Sequence, residues 1–164
     1  MPDTISNLRA QLLQPYVRAA SAEAKISSAY ALVKLALADT KMLPAHRKHL
    51  LKTAQWWVTE ADGKWKTRFR SMEVLRLAKE DPTSDVRINH EHVYGRAELA
   101  ELMLLDHTQV EAILELCVGC IVTVDEHRRL TAQKHVHGWK RYRAANVRVA
   151  DMTQPGGPLV EWPN

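Results

Sequence analysis

Cysteine is scarce in this 164-residue chain: Cys117 and Cys120 are the only two, and they form a single C-x-x-C. Two thiols that close together are too few for the disulfide framework of a small secreted protein, so a reducing cytoplasm is the expected setting. Long apolar runs are also missing, and no stretch reaches the roughly 18 residues that a membrane helix needs. The opening Met1-Pro2-Asp3-Thr4 lacks a cationic region followed by an apolar one, so no secretory leader is expected. Internal repeats and low-complexity segments are absent, and only Gln154-Pro155-Gly156-Gly157-Pro158 reads as loose coil. With 46% hydrophobic and 26% charged residues, disordered and collagen-like chains are excluded and a globular protein is expected.

Charge of one sign is missing locally although the net charge is only +4. Residues 63–80 carry six Lys/Arg against two Asp/Glu, whereas residues 81–130 carry four against ten. Residues 131–164 return to five against two, so an acidic block lies between basic ones.

Apolar periodicity predicts a helical front half, residues 1–62. Leu8, Leu12, Leu13 and Tyr16 recur at helical spacing. Ser21 is the expected N-cap of a second helix, with Ile26, Tyr30, Val33, Leu37 and Leu35 as its candidate buried stripe. Pro44 opens a third helix through Leu50, Leu51, Ala54 and Trp57 to about Glu60, because proline is tolerated in a first turn. Trp56 and Trp57 point about 100° apart, so at most one can sit at the centre of a helix seam. The other is a candidate protein-partner surface.

An α+β region, residues 63–152, is expected next, and residues 153–164 form a tail. Trp65, Thr67 and Phe69 alternate with Lys64, Lys66, Arg68 and Arg70, which predicts a strand or extended arm with one basic face. A basic continuation of the preceding helix is the alternative. Helix is expected over 71–80, ended by Asp81-Pro82, and strand over 86–93. Two helices, 97–105 and 108–116, hinge at Asp106-His107. Ile121-Val122-Thr123 suits a strand, and Thr123 with Glu126 makes a capping box that starts a helix bearing His127 and Leu130. A helix over 139–145 and a strand over 147–149 complete a mostly α, α+β fold.

Asn89-His90-Glu91-His92-Val93 is the densest chemical signal, offering metal ligands and a general base within a few residues. A regular strand points His90 and His92 to one face and Glu91 to the other, so all three share a metal only if the strand bends. A surface strand with solvated histidines is the plainer reading. Cys117 and Cys120 supply half of a tetrahedral zinc site, completed by His90 and His92 or by His127, His135 and His137. Two buried small hydrophobes are the alternative. Basic residues interleaved with aromatics, at Lys66, Arg68 and Arg70 and again at Lys140, Arg141 and Arg143, suit phosphate contacts. Core aromatics with solvated charged neighbours are the competing account.

Glu91-His92-Val93, followed by Val122-Thr123-Val124-Asp125-Glu126-His127, resembles the HNH, or His-Me finger, nucleases with their ββα-metal motif. The resemblance spans residues 86–130. It implies that His92 is the base that activates water. Glu91 and His127 would then hold a divalent ion (Mg, Mn or Zn), with His90 as an extra ligand. The ion would stabilise the scissile phosphate. The chain departs from the pattern in having Tyr94-Gly95 instead of Val-Pro and no Asn between His92 and His127. A diverged, inactive relative is therefore an equal expectation. So is a non-enzymatic module of phage or mobile-element type that binds protein or nucleic acid.

Overall fold

The computed structural model describes residues 4–80, 87–154, 157, 159 and 160, with side chains from residue 7 onward. Eight helices and one small sheet are found among them: α1 Thr4–Leu13, α2 Ala22–Ala38, α3 Pro44–Thr59, β1 Phe69–Ser71, α4 Met72–Glu80, β2 Ile88–His92, α5 Arg96–Leu105, α6 Val110–Glu115, β3 Gly119–Thr123, α7 Val124–Ala132, α8 Trp139–Ala144 and β4 Val149–Asp151. The fold is α+β and mostly α. None of its described helices is long and apolar enough to cross a membrane.

The sheet has the order β2-β3-β1-β4. β2 runs antiparallel to β3, β3 parallel to β1, and β1 antiparallel to β4. Alternation along these short strands sorts their side chains to two faces. Ile121 packs with Leu12, Val74 and Ala78 on the α1 and α4 side. Cys120, Val122 and Val149 pack with Leu130 and Tyr142 on the α7 and α8 side. A third and larger core joins α2 and α3 to α5 and α6 through Val33, Leu51, Leu99, Met103 and Ile113. The helical front half therefore shares its core with the later α+β region.

Most local signals act as their chemistry requires. Pro44 sits in the first turn of α3, and Ser21 precedes α2 although its side chain makes no capping bond. The Thr123 hydroxyl accepts from the Glu126 N–H at 3.1 Å, and the Glu126 carboxylate accepts from the Thr123 N–H at 2.9 Å. Ser71 also donates to Glu126 at 2.5 Å, tying β1 to the same cap. Replacing Thr123 with Ala should cost about 1 kcal/mol in urea unfolding, the usual worth of an N-cap hydroxyl.

Several expectations change. Tyr16 lies beyond α1, its N–H donating to the Met152 carbonyl, so tertiary pairing takes it out of the helical run. Leu35 is exposed, and Ala22, Ala29, Val33 and Ala36 form the buried stripe of α2, letting α3 approach closely. The strand expected over 147–149 is displaced to Val149–Asp151, because β1 pairs there. The basic arm is mostly turn. Only Phe69–Ser71 pairs as strand, and Arg70 points inward. The helix stop at residues 81–82, the strand start at 86 and most of the 154–158 coil lie outside the described residues.

Candidate functional site

β2, β3 and α7 form a ββα unit: two antiparallel strands, then a helix packed on one face of them. The expected base and metal ligands, His90, Glu91, His92 and His127, all lie on this unit, yet the sheet divides them. β2 stays regular, so Glu91 faces α7 and α8 while His90 and His92 face α3 on the opposite side.

On the α7 side, Glu91 is buried and each carboxylate oxygen has a partner. Oε2 lies 2.5 Å from Nδ1 of His127, and Oε1 accepts from Nη2 of Arg141 at 2.7 Å. The same Arg141 nitrogen donates to the His92 carbonyl at 2.6 Å, clamping α8 to the strand. An acceptor-only carboxylate at Nδ1 selects the tautomer with hydrogen on that nitrogen. Nε2 is thereby left as the outer nitrogen of His127, whose side chain is 41% exposed.

On the α3 side, the His90 and His92 rings stack with centroids 5.5 Å apart. The Trp56 ring lies 5.5 Å from the first and 4.9 Å from the second. Arg96 covers Trp56 from outside, 4.8 Å from its centroid. His90 is almost wholly buried, and its nearest charged partner, Oε1 of Glu60 at 3.4 Å, lies outside hydrogen-bonding geometry. Burial, reinforced by Lys64 and Arg96, pushes the His90 pKa down to about 4. Burial, then Arg96, His90 and Arg141, pushes His92 down to about 3. Both rings are neutral at neutral pH.

These facts redistribute the expected roles. A general base needs an accessible nitrogen and a pKa near the working pH. His92 lacks the second, with its pKa at about 3, and its Nε2 is buried without a partner. It also faces away from Glu91 and His127, so the base and ligand set implied by the HNH resemblance is not assembled. Among the described residues, no three His, Cys, Asp or Glu side chains converge closely enough to hold a metal ion. A divalent ion held by Glu91, His127 and His90 therefore does not fit this geometry. The thiols separate too: Cys117 packs in the α2–α3 core and Cys120 in the α7–α8 core. Both are free and buried, and burial pushes the Cys117 thiol up to about 12.

The candidate phosphate contacts also divide. Arg70 is buried, and Nη1 donates to the Leu12 and Gln14 carbonyls at 2.5 and 2.7 Å. It caps the C-terminal end of α1, where helical carbonyls lack internal partners. Arg141 is committed to Glu91. Arg68 is half exposed but makes a forked contact with Asp151, its Nε lying 3.0 Å from each carboxylate oxygen. Lys66, Lys140 and Arg143 remain exposed, as phosphate contact requires.

Residues 127–150 hold a signal that a charge boundary at residue 130 divides. They contain seven Lys/Arg and three His but no Asp or Glu. Arg128, Lys134, Lys140, Arg143 and Arg148 are all exposed. Arg128 has a solvent-exposed contact with Asp125, which screening makes weak.

The class defined by these features is an α+β protein with a ββα unit, one face of which carries a partly exposed histidine bonded to a buried carboxylate. No protein-family model, curated protein or solved structure matches the chain.

Proposed function

We propose that this is a nucleic-acid-binding protein of the reducing cytoplasm that grips phosphates with the α7–α8 surface. The stretch over 127–150, which contains no Asp or Glu, carries this reading, with six exposed Lys/Arg side chains along two successive helices and their connections. Such a run of cations attracts a polyanion; Asp125, Glu126 and Glu91 pair with Arg128, Arg129 and Arg141, which leaves Lys134 and Lys140 as its exposed lysines. The two buried free thiols suit a reducing compartment. The ββα unit serves as a scaffold in this reading, since its buried histidines are weak bases held away from the cationic surface.

Salt titration of fluorescently labelled single-stranded oligonucleotides tests the proposal. Each phosphate contact contributes about 0.7 to the slope of log affinity against log salt for single strands. A Lys134→Ala/Lys140→Ala double variant should weaken binding at least tenfold and flatten that slope by about 1.4, without altering the melting temperature. Binding that is independent of salt, or unchanged in the double variant, would refute it.

A further inference from the structure

We propose that His127 is the proton acceptor of a metal-independent RNA-cleaving centre on this nucleic-acid-binding surface. The inference rests on the binding reading above and narrows its ligand to RNA. Two observations converge. Nδ1 of His127 is held by the buried Glu91 carboxylate, which Arg141 fixes in turn, so the imidazole is oriented and presents Nε2 outward. The ring also opens residues 127–150, on which Lys134, Lys140, Arg143 and Arg148 are exposed cations for a phosphodiester backbone.

A single oriented base suits one phosphodiester reaction in particular, in which the nucleophile already belongs to the substrate. The ribose 2′-hydroxyl lies next to its own phosphate, and such proximity replaces the activation that an external water would need. His127 Nε2 takes the 2′-hydroxyl proton as the 2′-oxygen forms its bond to phosphorus. The bond from phosphorus to the 5′-oxygen breaks, and that oxygen takes a proton from solvent. The imidazolium then returns its proton to the resulting hydroxide, so atoms and charge balance without a co-reactant. The products are a 2′,3′-cyclic phosphate and a 5′-hydroxyl. DNA lacks the internal nucleophile, so it is bound and left intact. In this scheme His127 is the catalytic residue, while Glu91 and Arg141 are positioning residues.

The test incubates the full chain with labelled single-stranded RNA, the matching DNA, and the RNA bearing 2′-O-methyl groups, all in excess EDTA. Binding is measured separately by anisotropy. Expected results are cleavage of unmodified RNA alone, ends carrying 2′,3′-cyclic phosphate, and at least a hundredfold loss of rate in His127→Ala with an unchanged dissociation constant. Glu91→Gln should lower kcat about tenfold and leave KM unaltered, a split that a merely structural role would not produce. His127→Asn, which keeps a polar side chain at Glu91, guards against instability of the Ala variant. Tight RNA binding without cleavage, or cleavage that survives in both His127 variants, overturns this inference and leaves the binding reading standing. Absence of binding to any of the three oligonucleotides overturns both.

Discussion

Acidification from about pH 7 to about pH 4.5 should remove on the order of 5 kcal/mol of folding stability through His90 and His92 alone. Both rings have folded-state pKa values below the ordinary 6.5, at about 4 and about 3. Above pH 6.5 they are neutral in the folded and the unfolded chain, so their contribution to stability is fully present. As pH falls below 6.5, the unfolded chain binds two protons that the folded chain refuses, and stability declines by up to about 2.7 kcal/mol per pH unit. The decline levels off only below pH 4 for His90 and below pH 3 for His92, after the folded rings also charge.

Total stabilities of about 5–15 kcal/mol make this loss decisive for a chain of ordinary stability. Lys64 and Arg96 add repulsion to the charged rings, and Glu60, 3.4 Å from Nδ1 of His90, makes no hydrogen bond to it. Urea unfolding followed by Trp fluorescence at intervals of half a pH unit measures the profile. His92→Leu should reduce its slope between pH 6.5 and pH 4.5 by about half. An unchanged wild-type midpoint across that range would show that the rings are solvated.

Gly119→Ala should destabilise the protein by about 3 kcal/mol, at the upper end of the usual cost of overpacking. A Cβ on Gly119 would fall 2.2 Å from Nε2 of His90, far inside van der Waals contact. The ring has little room to retreat, being packed against Trp56 and stacked on His92. Gly119 pairs with His92 across the β2–β3 ladder, so moving its backbone would disturb the strand that positions Glu91. Thermal and urea unfolding read the loss directly. Combining it with His90→Ala should recover a large part of the loss relative to the sum of the single variants, because the two changes share one contact. Strict additivity would place the clash elsewhere.

The fate of the two clusters shows how far local chemistry reaches. Pro44 and the Thr123/Glu126 capping box act within a few residues, so the starts of α3 and α7 were legible from spacing alone. Strand alternation likewise assigns His90 and His92 to one side of β2 and Glu91 to the other. Which side meets α7 is not a local property. It follows from the packing of Leu130 and Tyr142 against Cys120 and Val122, and that packing delivers His127 to Glu91.

Arg70 and Lys140 make the same point in opposite directions. Both are cations beside aromatics, Phe69 and Trp139, and composition treats them alike. The α1 terminus offers two free carbonyls to Arg70 and draws it inward, while Lys140 stays in solvent. Helix composition, capping, strand alternation and the cationic character of residues 127–150 were therefore determined by the sequence itself, because each depends on neighbours within one or two turns. Tertiary structure alone decided that Trp56 packs against both buried imidazoles and that the Glu91 carboxylate is shared by His127 and Arg141. The physical reason is that burial and ion pairing depend on which segments meet in space, and sheet order and helix packing settle those meetings over tens of residues.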